Sequence, residues 1–592
     1  MPDTPVWDNI KTSLTEGLRQ VFPIVGKERD LHLEDIDIKD NKDAGDYASQ
    51  KQAILNKTNW TVPVYGNLVL KDKEGKTLEK SRTRLLSIPK LTNRNTLIYN
   101  GNEYSIANQI RLKPGVYTNT GDDGITRSQF NVGKGANFSL WQEPTKGIFY
   151  MQFNQASIPL YPILKDLGVS DEELASRWGR EIVDSNKNIS DAKYKNAVVK
   201  VYNKLTYNKN EEKETSYDTA RSELKNVLNV ATLDPLVTKA TLKKEYSAVT
   251  SDVIMDASRK ILRINRGEEQ PDDRESLVYK SVHGADDFIR ESITKAARPV
   301  LWKVKNRLNS MYGKQDGSII KNVFAPGTLS SPIYTNINIS PLTSVAQDAN
   351  PLKSIEASNR VTAFGPGGIG STLAVPEAVR NVHPSHIGFI DTVRTQESDK
   401  AGIDLQLAIG TRKTGNTLTI KLLDRDGKKV RKTIQELQGK TLALPSQQIN
   451  GKIDAVRDGK AVTVSQSDID YTIYGPNRMF SDATVLVPFL SNNAGARVNI
   501  GGKMGAQALP LKYREKPLVQ TAANKEGLTN EAIIGRKISV QSPVDGKVTK
   551  VTGSEIEITD GSGKKHSVSL YANYIVGNKT YLNHEPVVKE GD

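Results

Sequence analysis

The run Ile88-Pro-Lys-Leu-Thr-Asn-Arg-Asn-Thr-Leu-Ile-Tyr-Asn-Gly-Asn-Glu-Tyr104 decides how the first part of the chain is read. Two β-rich stretches flank Asn100-Gly101. That dipeptide is the strongest short hairpin signal, because both residues tolerate the positive φ angles a two-residue turn demands. Upstream, Thr61-Val-Pro-Val-Tyr-Gly-Asn-Leu-Val-Leu70 alternates and then meets a turn at Lys73-Glu-Gly-Lys76, the pattern of a strand with one buried face. Residues 1 to about 150 therefore read mainly as β.

Outward from there the pattern changes. From Leu164 to Tyr312 it is helical, and Ile289, Ile293, Ala296, Val300, Val304, Leu308 and Met311 recur at steps of three and four. They predict one long helix with an apolar face, kinked at Pro299. The charge run Asn208–Ser216 reads as a solvated turn between helices. From Gly313 to about Gly402, Gly, Pro, Ser and Asn are dense and periodicity disappears, so an irregular, functional segment is expected. Beyond Ile403 short strands return, with turns at Asp424-Arg-Asp-Gly427, Asp458-Gly459 and Gly475-Pro476. From Ile538 a small β module is expected, with hairpins at Asp545-Gly546 and Asp560-Gly561. The fold class is α+β and multidomain, as 592 residues require at ~100–200 residues per domain.

Composition narrows the chemistry. Lys and Arg number 82 against 68 Asp and Glu, a net charge of +14. Such an excess suits a polyanion, nucleic acid first, since neutralising phosphates releases counterions. Cysteine is absent, which excludes a disulfide scaffold, a thiol nucleophile and cysteine-ligated metal. The start lacks a basic segment followed by an apolar one. The longest apolar stretches, such as Val485–Leu490, are far short of the ~20 residues that span a bilayer.

Three motifs suggest catalysis and fail on context. Gly365-Pro-Gly-Gly-Ile-Gly370 has the spacing of a dinucleotide fingerprint, but Pro366 and Pro376 argue against the helix whose N-terminus would hold the pyrophosphate. A backbone element shaped for close approach is expected instead. His383 and His386 lack companion ligands and read as hydrogen-bonded loop residues. Asp35/Asp37 and Asp468/Asp470 pair carboxylates, but both pairs read as outward positions on strands. No P-loop, GxSxG or kinase signature is present, so a basic chain without its own catalytic constellation is expected.

Several segments, in order, resemble the β subunit of multisubunit DNA-directed RNA polymerases. Ile88–Tyr104, continuing to Gln109 and Lys113-Pro-Gly-Val-Tyr117, is similar to the family's protrusion. Gly267–Val282 resembles the stretch after its lobe. Asn350-Pro-Leu through Arg360 to Gly365-Pro-Gly-Gly368 looks like its fork region, continued by Arg380-Asn-Val-His-Pro-Ser-His-Ile-Gly388. Val487-Pro-Phe-Leu490, Ala496-Arg497, Gln507-Ala-Leu-Pro510 and Lys516-Pro-Leu-Val519 parallel the family's run toward the active site.

The resemblance implies a protrusion over 1–150, a helical and β lobe over 151–312, and the protrusion's return with an irregular fork segment over 313–402. It further implies an external β region over 403–480, an active-site-proximal segment over 481–537, and a small β-barrel-like module over 538–592. It implies the N-terminal half of a β subunit, with the flap and the two-lysine barrel motif on a second polypeptide. The catalytic Mg2+ would be held by a β′-type partner. Template DNA, the RNA transcript, NTPs and an optional σ-like promoter-specificity factor complete the expected partners, with no membrane among them. Splitting and divergence resemble a large bacteriophage's polymerase, acting in the host bacterial cytoplasm or also packaged in the virion, with a plastid or archaeal-type split subunit as the next option. The alternative is a non-catalytic nucleic-acid-binding or structural virion protein that keeps the fold.

Carried over by resemblance, Arg497 reaches the incoming nucleotide's phosphates, a role suited to a permanently charged guanidinium fork. Lys503 and Gln507 fall where the family contacts the RNA–DNA hybrid, and Arg360 ends the fork run. Glu397 and Lys400 lie in a loop near the RNA end that here has lost its prolines. The family's rifamycin pocket takes polar ligands from an Asp, a His, a Ser and an upstream Arg. Gln347, Ala357, Thr362 and Tyr104 stand here, so rifampicin resistance is expected.

Overall fold

The computed structural model describes residues 5–205, 216–311, 318–346, 349–445, 451–521, 527–577 and 580–592. Most of the charge run Asn208–Ser216, together with Tyr312 and Gln347, lies outside the described residues. The chain divides into two compact units, Leu112–Ser281 and the combination of Met1–Arg111 with Val282–Asp592. Among the described residues, no helix is long and apolar enough to cross a membrane.

The inserted unit, Leu112–Ser281, is built on a five-stranded antiparallel meander. Its strands are Gly115–Thr120, Thr126–Asn131, Phe138–Gln142, Phe149–Phe153 and Ala156–Pro159. Alternate residues Phe130, Phe138, Leu140, Phe149, Met151 and Phe153 face a core closed by helices that include Asp171–Trp178, Asp191–Leu205, Tyr217–Asn229 and Ser251–Asn265. Trp178 is buried and donates through Nε1 to Ser258 Oγ at 2.7 Å, so its one polar atom is satisfied. The unit thus takes in the strands from Gly115 onward, which the sequence pattern groups with the first 150 residues.

In the other unit, Ile24–Val25, Arg29–Ile38, Thr61–Asp72 and Thr77–Pro89 form an antiparallel sheet in that order. Ile10, Leu14 and Leu18 of the helix Pro5–Val21 pack with Val62, Val64, Leu68 and Leu85 of the sheet. The Asn100-Gly101 hairpin is present. Tyr99 pairs with Asn102, and φ is 48° at Asn100 and 73° at Gly101.

The single long helix does not form. Ala285–Glu291 is α-helical, Ser292–Ala296 is a π turn, and a new helix runs over Arg298–Ser310 with Pro299 in its first turn. Pro lacks an N–H and its ring crowds the carbonyl four residues back, so it is tolerated only at a helix start. The wider turn shifts the apolar register by one, so Ala297 rather than Ala296 is buried beside Ile293.

The segment 313–402 is also more regular than its composition suggests. It holds the helices Ile319–Val323, Ser330–Ile339 and Pro351–Asn359. Ser318 caps the first by accepting from Lys321 N, and Asn350 caps the third by accepting from Leu352 N, with Pro351 behind it. Arg360–Thr362 then pairs in parallel with Asn108–Leu112 and antiparallel with Asp404–Leu407, which in turn pairs with Ile390–Thr395. Gly365–Gly370 is a tight loop closed by Gly365 N to Ile369 O and Gly368 N to Gly365 O, both 3.0 Å. A side chain at Gly367 would run into the Arg111 guanidinium, which is the close approach that the glycines permit.

Beyond Gly410 a seven-stranded sheet is built from Arg412–Thr414, Thr417–Leu423, Lys429–Thr433, Thr441–Ala443, Lys452–Arg457, Lys460–Ser465 and Tyr471–Thr472. Its turns fall at Asp424–Gly427 and Asp458-Gly459, as expected. The C-terminal module is an open three-stranded sheet, Gly546–Val551, Glu555–Asp560 and Lys565–Ser569, followed by the hairpin Tyr574–Val576 with Thr580–Leu582. Asp560-Gly561 turns between strands. Asp545-Gly546 instead opens one, because Gly546 already pairs with Asp560.

Candidate functional site

The helix Gly495–Gln507 carries three of the six implied contact residues, Arg497, Lys503 and Gln507. Val498, Gly502 and Ala506 face inward, whereas Arg497, Ile500, Met504 and Gln507 form an exposed stripe at steps of three and four. Ala506 packs with Leu352, Ala483, Val485 and Ile534.

Polar side chains then fix the helix to the helix Pro351–Asn359 and the strand Ile390–Thr395. Asn350 caps the helix Pro351–Asn359 through Oδ1, and its Nδ2 donates to the Gly505 and Ala508 carbonyls at 2.8 and 2.9 Å. One side chain thereby serves one helix's N-terminus and another's C-terminus. Arg394 donates to both Glu356 carboxylate oxygens, at 2.7 and 3.3 Å, and to Asn499 Oδ1 at 3.0 Å. Asp391 accepts from Ser481 N at 2.7 Å and Thr484 Oγ1 at 2.6 Å. Lys537 forms an ion pair with the buried Asp482.

Two of the implied residues meet. Lys503 Nζ donates to Glu397 Oε2 at 2.7 Å, with both side chains substantially exposed. Among the described residues the Arg497 guanidinium has no side-chain partner, while its backbone N–H donates to Ala494 O at 2.9 Å. Lys400 ends the 3-10 turn Ser398–Lys400. That loop is held by Arg380, whose Nη1 donates to the carbonyls of Asp399 and Ala401 and whose Nη2 donates to that of Thr372. Arg360 stands apart from this group. It is half-buried, its Nη2 donates to Leu342 O at 3.2 Å, and its buried Nε has no partner among the described residues.

The decoy motifs have internal explanations. Asp37 pairs with Lys39 and Arg82, which hold its carboxyl below the usual carboxylate range. Asp35 accepts from Asn67 at 2.9 Å. Asp468 and Asp470 are not on a strand: Asp468 ends a 3-10 turn, and Asp470 accepts from Thr441 N and pairs with Arg425. His383 Nδ1 accepts from Ser385 N at 3.1 Å. Asn350, Glu356, Arg394 and Asn499 were not singled out as site residues. The one available signal was Asn-Pro at 350–351, a helix-start pattern.

Comparison with known proteins agrees with this architecture. Residues 344–412 match the family described as RNA polymerase Rpb2, domain 3. Over nearly the whole chain the similarity is to proteins named DNA-directed RNA polymerase subunit beta. That of Synechococcus elongatus is 26% identical over 576 residues, covering 90% of this chain and 50% of the relative. That of Gloeobacter violaceus is 24% identical over 625 residues, covering 98% and 54%. The subunit of Rhodomonas salina is 25% identical over 569 residues, covering 90% and 50%. The chain spans about half the length of the curated relatives it matches.

Proposed function

We propose that this chain is part of a DNA-directed RNA polymerase, forming one wall of the DNA and RNA channel. One observation carries the reading. The helix bearing Arg497 is clamped by Asn350 and Arg394 onto the segment similar to Rpb2 domain 3, and it carries both Lys503 of the Lys503–Glu397 pair and a guanidinium with no side-chain partner among the described residues. A preorganised, permanently charged fork suits a triphosphate. Gln507 and Lys503 suit the RNA–DNA hybrid, and Lys400 suits the RNA end. Arg360 acts at the fork by holding the Leu342 carbonyl and the sheet edge.

The chain contributes positioning and phosphate contacts and is catalytically incomplete alone. Its described residues contain no group of three carboxylates or imidazoles able to hold a metal, and the Asp pairs are engaged in ion pairs and hydrogen bonds. By the resemblance, the catalytic Mg2+ would be held by a β′-type partner, where it would assist phosphoryl transfer. The region matching the rest of the relatives' length, on this or another polypeptide, completes the assembly with template DNA, transcript and NTPs. A large bacteriophage is the source this reading favours, with the polymerase in the host cytoplasm.

Native mass spectrometry of the affinity-purified assembly tests the reading. A β′-type chain is expected, together with the rest of β, whether on this polypeptide or on another. Purification of a DNA-binding chain without either, and without nucleotide addition, would favour the structural-protein alternative.

A further inference from the structure

The sheet beyond Gly410 has two unlike faces. In Thr417–Leu423, Leu418, Ile420 and Leu422 are buried and Lys421 is exposed. Pairing sets Lys421 opposite Arg431, Leu423 opposite Lys429 and Thr419 opposite Arg412. Side chains alternate between faces, so Arg412, Lys421, Lys429 and Arg431 share the face away from that core. Like charges directly opposite on a ladder destabilise it.

The fold gathers the charge further instead of dispersing it. Arg431 donates through both Nη atoms to the Gly410 carbonyl at 3.3 Å and to Thr419 Oγ1 at 3.0 Å. Gly410 has φ +89°, and a Cβ there would lie 2.6 Å from Nη1 of Arg478. The bare Cα is what lets a second guanidinium lie against the same turn. Arg478 stands 4.9 Å over the Tyr474 ring, and Lys429 Nζ stands 5.7 Å over it. The Lys421 ammonium is held below the ordinary lysine value by desolvation first, then by Arg431, Arg412, Arg478 and Lys429. Three other basic residues of this sheet and its turns have acids: Lys413 has Asp286 and Asp287, Lys432 has Glu436, and Arg425 has Asp470. Among the described residues, Lys421, Lys429 and Arg478 have no acidic partner.

We propose that this face binds the phosphate backbone of nucleic acid, through residues different from those of the Arg497 stripe. Its charges spread across three adjacent strands, about 4.8 Å apart. That array fits a run of phosphates rather than a single one. Such contacts carry no sequence information and act by counterion release.

The full chain is titrated with fluorescein-labelled duplex DNA of arbitrary sequence at several salt concentrations. Replacing Lys421, Lys429 and Arg478 together by Ala is expected to reduce the slope of log K against log salt by about 2–3, at ~0.9 per phosphate contact. Binding at low salt should weaken at least tenfold, while thermal unfolding is unchanged. Lys421→Glu alone, at an exposed position, should weaken binding without disturbing the fold, and Lys421→Arg should restore the slope. An unchanged slope in the triple variant overturns the proposal. So does loss of tripolyphosphate binding with the DNA slope intact, which would assign the face to free phosphates. NTP kinetics of Arg497→Ala read the channel-wall assignment separately, so either can fail without the other.

Discussion

Arg394 and Glu356 form a bidentate ion pair at 2.7 Å with side chains only 9% and 4% exposed. The pair joins the strand Ile390–Thr395 to the helix Pro351–Asn359, and Asn499 extends it to the Arg497 helix. Removing one partner leaves a buried charge uncompensated, which typically costs about 3–5 kcal/mol. Glu356→Ala should destabilise the full chain by that order in urea unfolding. Replacing both residues by apolar side chains of similar volume should recover much of the loss. A change below about 1 kcal/mol for Glu356→Ala would show that the pair does not hold the segments together.

Arg497 is expected to behave in the opposite way. Its guanidinium has no partner among the described residues, so Arg497→Ala should leave unfolding unchanged. In a polymerase assembled as proposed, it should raise the apparent KM for NTP by about 10–100-fold, the equivalent of one charged hydrogen bond at ~1.5–3 kcal/mol. An equal fall in kcat with KM unchanged would place the residue elsewhere in the cycle.

How far the sequence could be read depended on the range of the forces involved. The Asn100-Gly101 hairpin was legible because two residues' φ preferences determine it locally. The exposed stripe on Gly495–Gln507 was legible in part through resemblance. The break at Ser292–Ala296 was not, since Pro299 signals a disturbance but not that the helix would widen and move the apolar register to Ala297. The clamp was not legible either. Asn350 with Gly505 and Arg394 with Glu356 are separated by 155 and 38 residues, and nothing local marks a polar side chain as destined for burial.

The C-terminal hairpin should loosen in acid. His584 stacks on Tyr571 at 4.2 Å, and its Nδ1 accepts from Tyr571 N at 3.0 Å. Tyr571 in turn packs on Tyr47, and Lys51 donates to Ala572 O. Desolvation, then the nearby Arg94, pushes the imidazole below the ordinary histidine value. The unfolded chain therefore binds the proton more readily than the folded one. Stability from this site is complete above about pH 6.5 and falls as pH drops below it toward the folded value. His584→Asn, which keeps an acceptor for Tyr571 N, should remove that part of the acid loss. Parallel unfolding curves for both proteins from about pH 7.5 to 5 would refute the assignment.

Rifampicin should not inhibit the assembled enzyme. Of the four positions compared with the rifamycin pocket, Gln347 lies outside the described residues, and Ala357 offers no polar side chain. Thr362 is buried, and its hydroxyl already accepts from Phe364 N at 3.1 Å. Tyr104 donates to Asn338 at 3.3 Å and lacks the charge of an arginine. A ligand that bonds a histidine at position 357 and an arginine at position 104 finds neither here, and each such hydrogen bond left unmade costs about 1–3 kcal/mol. Two such losses amount to roughly a hundredfold or more in affinity. Transcription by the complete enzyme should therefore continue at drug concentrations that stop bacterial polymerases. Ala357→His combined with Tyr104→Arg should restore measurable sensitivity. Inhibition of the unmodified enzyme at those same concentrations would show that other groups supply the contacts.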